Sequence, residues 1–131
     1  MNQDIVANAA AFSSDIKTTG HAAVYGIYFD TGKSEIKPTS EAAITEITKL
    51  LKAEPTLNVY VVGHTDNVGT LESNMKLSQA RAEAVVQALV GKHGISPTRL
   101  KGHGVGPLAP VGSNASEEGR AKNRRVELVA Q

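Results

Sequence analysis

Apolar and polar positions along the 131-residue chain alternate between a helical period and a period of two, and the switches divide it into elements. Residues 4–16, containing IVANAAAF, are alanine-rich and weakly amphipathic, which predicts a helix closed by TTG at residues 18–20. In HAAVYGIYF, residues 21–29, Tyr25, Ile27 and Phe29 alternate with Val24, Gly26 and Tyr28, as in a half-buried strand. DTGKSEIKP then turns the chain into a second helix, with Pro38 leading in and Glu41 in its first turn. Ile44, Ile47, Leu50 and Leu51 give it one apolar stripe, and Pro55 ends it.

LNVYVVGH, residues 57–64, reads as the second strand, with Val59, Val61 and Gly63 alternating with Tyr60, Val62 and His64. The loop TDNVG follows, with turn chemistry at Asn67 and Gly69. A third helix is predicted over residues 78–93, with Leu77, Ala84, Val85, Ala88 and Leu89 on its apolar side and Gly94 closing it. Residues 99–106, RLKGHGVG, predict a third strand. PLAPVGSNASEEG reads as loop with at most a short helical turn, and residues 123–130, NRRVELVA, as the last strand. A βαβαββ order after an N-terminal helix predicts an α/β (α+β) two-layer sandwich, helices packed on a mixed parallel and antiparallel sheet.

Composition narrows the function classes. The length suits one domain that buries roughly two-thirds of its unfolded surface. A formal net charge of +1 and 4% aromatics offer neither a steering field nor a stacking platform, so nucleic acid is not an expected partner. The absence of cysteine excludes disulfides, thiolate metal sites, a cysteine nucleophile and a lipidated N-terminal cysteine within this chain. No apolar run approaches the ~18 residues of a membrane span, so the chain itself is not expected to insert in a membrane. If the protein is exported, its targeting segment lies outside these residues.

Candidate chemistry gathers at the carboxyl ends of strands, where open α/β sheets collect ligands. Thr65 and Asp66 leave the second strand there, and the predicted helix boundary puts Arg81 in a first turn, where a cation is disfavoured unless it faces something negative. The plain alternatives are that Asp66 caps a turn or that it forms a surface ion pair with Arg81, worth roughly 0–1 kcal/mol. If the last strand runs from residue 123, alternation puts Arg124 on the apolar face with Val126 and Leu128 and Arg125 beside Glu127. Arg124 would then need an acidic partner, and Asp66 or another loop acid is the candidate. His64 and Asp66 have HxD spacing without a third ligand, and GHGVGP follows a strand without opening a helix, so neither a metal nor a nucleotide is expected. His21, His93 and His103 read as strand or loop residues, and no nucleophile–histidine–acid set stands out.

The runs TDNVGTLESNMKLSQARAEAVVQAL, GISPTRLKGHGVGPLAP and EGRAKNRRVEL resemble the signature of the OmpA-like peptidoglycan-binding domain of outer-membrane porins, Pal lipoproteins and MotB-type proteins. The ordered elements are TD, NxxLSxxRA, RLxxxGxG and NRRVE, over residues 25–129. The resemblance implies a lead-in helix over residues 1–20 and the domain proper over residues 21–131. It implies non-covalent binding of the peptidoglycan stem peptide, through meso-diaminopimelate, in the periplasm at the outer membrane or cell wall. Asp66 and Arg81 would hold the zwitterionic end of that residue, Phe29, Asp30, Thr31, Thr65, Asn74 and Leu77 would line the pocket, and Arg124 would buttress it. No cofactor or catalysis is implied. A protein–protein interaction domain of the cell envelope on the same fold is the alternative, and the sequence leaves a homodimer open.

Overall fold

A computed structural model describes residues 7–131, so residues 4–6 of the predicted first helix lie outside the described residues. Helix α1 spans Ala9–Thr19, capped by the Asn8 side chain on the Ala11 N–H and closed by Gly20 at φ 89°. Strand β1 covers only His21–Val24, shorter than the alternation predicts, because Gly26 adopts φ 99° and turns the chain out of the sheet. Phe29 re-pairs only as an isolated bridge to Ile36, and buried Ser40 holds this crossing by accepting the Tyr28 N–H at 2.7 Å. The Pro38–Ser40 turn leads into helix α2, Glu41–Ala53, as predicted.

Strand β2 is Val59–His64, helix α3 Leu71–Gly91, strand β3 Leu100–Gly106, helix α4 Glu117–Asn123 and strand β4 Arg125–Ala130. The sheet order is β1-β4-β2-β3, with β2 and β3 parallel and β4 antiparallel to both β1 and β2. The mixed two-layer sandwich is therefore observed. Helix α4, seven residues long, separates β3 from β4, so the order after α1 is βαβαβαβ where βαβαββ was predicted.

Alternate strand residues Ala22, Val24, Val59, Val61, Val126 and Leu128 join Phe12, Ile47, Leu51, Val85 and Leu89 of the helices in one buried cluster. Each fully buried Leu or Ile contributes about 1.5–3 kcal/mol. Helix α3 crosses β2 and β3 at backbone contact: a Cβ on Gly63 or Gly104 would strike the backbone of Ser78 or Gln79. Ser78 and Gln79 complete the seam, with Gly106 N–H donating to Ser78 Oγ at 2.9 Å and Gly104 N–H to Gln79 Oε1 at 2.8 Å. The glycines of GHGVGP thus serve close packing.

Two boundary corrections bear on the site. Helix α3 begins at Leu71, not Ser78, because Thr70 caps it by accepting the Ser73 N–H at 3.1 Å. Arg81 is the eleventh of its 21 residues, so the reading of a first-turn arginine beside the helix dipole is wrong. Strand β4 begins at Arg125, leaving Arg124 as the C-terminal cap of α4. Strand alternation does not reach Arg124, which is exposed, and the buried arginine is Arg125.

Candidate functional site

The loop after β2 is fixed by its own polar groups. Thr65 is buried, and its N–H donates to the Gly106 carbonyl at 2.9 Å, tying the ends of β2 and β3 together. Asn74, in the first turn of α3, turns back and donates to the Val68 carbonyl at 3.0 Å, stapling the loop to the helix. Asp66 accepts the Val68 N–H on Oδ1 at 3.0 Å, an Asx turn that orients its carboxylate. Its Oδ2 lies 2.7 Å from Nη1 of Arg124, whose Nη2 donates to Glu117 Oε2 at 2.5 Å. The hydrogen bond to Glu117, then that to Asp66, raises the Arg124 pKa.

Arg81 reaches the same rim from the middle of α3. Its guanidinium lies over the Phe29 ring, 4.7 Å from the centroid, an arrangement that favours a cation. Nε donates to the Lys33 carbonyl at 2.8 Å and Nη2 to the Asp30 carbonyl at 3.2 Å, so the turn after Phe29 holds the group from one side. Burial is the largest cause lowering the Arg81 pKa; the Asp66 charge opposes it and the Arg124 charge adds to it. Among the described residues Arg81 makes no ion pair. The acid therefore carries an internal counter-ion and the base does not.

The other expected residues fall into distinct places. Phe29 is the platform under Arg81, while Asp30 contributes its carbonyl and directs its carboxylate to Lys37 at 3.1 Å. Thr31 is exposed in the turn and joins none of the described side-chain hydrogen bonds. Leu77 is half-buried one turn before Arg81 on α3. Thr65 and Asn74 shape the loop through backbone groups. The expected acidic partner of Arg124 is found as Asp66, but Glu117 was missed. Its sequence signal is its place seven residues before Arg124, two turns along one helix face.

Sequence reasoning placed Arg125 beside Glu127 but missed the two histidines that join them on the sheet face away from α2 and α3. Arg125 donates to Glu127 Oε2 at 2.5 Å and to the Ala109 carbonyl at 3.0 Å, and His21 lies 2.9 Å from Glu127 Oε1. His64 is buried beside them, 3.9 Å from Glu127 Oε2, with no hydrogen-bond partner for Nδ1. Burial, and then the Arg125 charge, lowers the His64 pKa to about 4 against the opposing pull of Glu127. For Glu127 burial is the largest influence and raises the pKa, but Arg125, His64 and His21 together leave it lowered. No group of three potential metal ligands gathers among the described residues.

Helices on a mixed sheet, with fixed opposite charges at the carboxyl ends of its parallel strands, define the structural class. The chain belongs to the OmpA family, whose family model matches residues 28–124. It is 46% identical over 105 residues to the outer membrane porin F of Pseudomonas fluorescens, covering 80% of this chain and 32% of that protein. It is 36% identical over 117 residues to the peptidoglycan-binding protein ArfA of Mycobacterium bovis, covering 88% of this chain and 36% of that one. The peptidoglycan-associated lipoprotein of Burkholderia pseudomallei superposes with a TM-score of 0.71 at 33% identity, covering 80% of this chain and 88% of that one. This chain spans about half or less of the length of the curated relatives it matches.

Proposed function

We propose that this domain binds peptidoglycan non-covalently through the meso-diaminopimelate of its stem peptide and so anchors the envelope to the cell wall. The observation that carries the reading is the asymmetry of the rim: Arg81 is held by Phe29 and two carbonyls without an anionic partner, beside the oriented carboxylate of Asp66. A diaminopimelate side chain ends in a carboxylate and an ammonium. The first suits a fixed guanidinium and the second a carboxylate acceptor. A lysine side chain offers only the ammonium.

The ArfA relative, named as peptidoglycan-binding, and the peptidoglycan-associated lipoprotein support the ligand class. Names of outer-membrane relatives support a periplasmic setting at the outer membrane or cell wall, and no helix among the described residues is long and apolar enough to cross a membrane. Residues 21–131 form the binding domain in this reading, with Asp66 and Arg81 on the ligand, Phe29 and Asp30 behind Arg81, Thr65, Asn74 and Leu77 shaping the pocket, and Arg124 at its edge as the counter-ion that Asp66 carries before the ligand arrives. The role is holding rather than turnover. The test is calorimetric titration with a diaminopimelate-containing stem peptide and its lysine counterpart. Saturable binding of the first alone is expected, and equal binding of both would refute the zwitterion site.

A further inference from the structure

We propose that Glu117 is a positioning residue for the ligand's ammonium: it keeps Arg124 when that ammonium displaces the guanidinium from Asp66, so the site opens by exchanging one ion pair for another. The inference rests on the binding reading above and adds to it a residue and an order of events. Asp66 Oδ1 accepts the Val68 N–H at 3.0 Å, and Oδ2 accepts from Arg124 at 2.7 Å. An ammonium approaching Oδ2 meets the like charge of that guanidinium, and the two cations compete for the oxygen.

A guanidinium leaving its only partner would forfeit a charge-assisted hydrogen bond. Arg124 does not, because its Nη2 already donates to Glu117 Oε2 at 2.5 Å. Glu117 stands in the first turn of α4 and Arg124 caps the far end of the same helix, so that pair moves with one element. The Asp66 contact is the one that crosses between elements. Side-chain exposure sets the direction: Glu117 is 67% exposed, Arg124 39% and Asp66 13%, so Arg124 swings outward and vacates the more buried acid. Arg120 lies 3.3 Å from the other Glu117 oxygen and leaves Oε2 to Arg124. Arg81, without an ion pair, meets the ligand carboxylate and brings the ammonium to Asp66.

The test is calorimetric titration of the full chain and of its Glu117→Gln, Glu117→Asp and Arg124→Gln variants with two peptides. One is the diaminopimelate stem peptide; the other is the same peptide acetylated on its side-chain amine, which keeps the carboxylate but brings no cation. Glu117→Gln is expected to bind the zwitterionic peptide about three- to five-fold more weakly, the scale of an exposed ion pair, with the acetylated peptide unchanged. Glu117→Asp should recover part of the loss, and Glu117→Gln should add no loss in an Arg124→Gln background. Equal or tighter binding of the zwitterionic peptide by Glu117→Gln overturns the exchange, as does equal weakening of both peptides, which a merely structural role would give. A parent chain that binds neither peptide overturns the binding reading and the exchange with it.

Discussion

His64 ties the stability of the domain to mild acid. Its ring is buried on the sheet face that holds Arg125 and Glu127, and burial followed by the Arg125 charge brings its pKa from 6.5 down to about 4. A histidine with a depressed folded pKa supports the fold while neutral. That support is complete above the unfolded value near 6.5 and is lost as pH falls through the window down to about 4. For those two values, linkage gives a loss of about 1 kcal/mol at pH 5.5 and about 2 kcal/mol at pH 5.0, relative to neutral pH. Solvent screening trims both, leaving roughly 1 kcal/mol at pH 5.0. The assay is urea unfolding at pH 7.5, 6.5, 5.5 and 5.0 for the parent chain and for His64→Gln, which fills similar space and does not titrate. With a urea dependence of about 1–3 kcal/mol per molar, the parent midpoint should fall by about 0.3–1 M more than the variant's. The lowered pKa of Glu127 acts in the same direction at lower pH, its stabilisation being lost only below about 4.5, outside the pH range of the assay. If parent and variant midpoints fall in parallel between pH 7.5 and 5.0, the His64 assignment is refuted.

Arg81→Ala should weaken binding of the diaminopimelate peptide by about 2 kcal/mol or more, roughly thirty-fold, in the same calorimetric assay. Retention of full affinity would remove Arg81 from the site. Gly104→Ala should destabilise the fold by about 3 kcal/mol or more by thermal or urea unfolding, since the added Cβ meets the backbone of α3, which cannot step aside. Asn74→Ala should cost about 1–2 kcal/mol of stability by leaving the Val68 carbonyl without its side-chain donor, and should loosen the turn that aims Asp66, read as faster amide exchange at Val68 and Gly69.

The parts of the fold legible in the sequence are those whose signals are local. Pro38 and Glu41 mark the start of α2, Gly20 the end of α1, and the Val59 and Val61 alternation the buried face of β2. Two boundaries turn on side-chain hydrogen bonds and caps that the apolar pattern does not carry. Polar LESNMK reads as loop, yet it forms the first turns of α3 because Asn74 spends its amide on loop carbonyls instead of competing with the helix. Arg124 looks like a strand residue because alternation extends one position too far, and the helix that claims it is only seven residues long. The pairing of Asp66 with Arg124 was named from a buried strand position that Arg124 does not occupy, and the Phe29 platform and the carbonyl pair under Arg81 emerge only when a segment outside the sheet folds across α3. The His21, His64 and Glu127 grouping joins three strand positions whose adjacency depends on β4 lying between β1 and β2.

That position of β4 decides when the domain can become a domain. The last strand in chain order is the one that joins the other two parts of the sheet, pairing Val24 with Val126 and Val61 with Leu128. Contacts of such long sequence separation are slow to form, because a large loop must close before any of them rewards it. A nascent chain lacking residues 125–130 has β1 on its own and a parallel pair with one side unmatched, so no part of the sheet is finished early. Completion waits for residues 125–130, and until they pair the sheet stays in two unmatched parts.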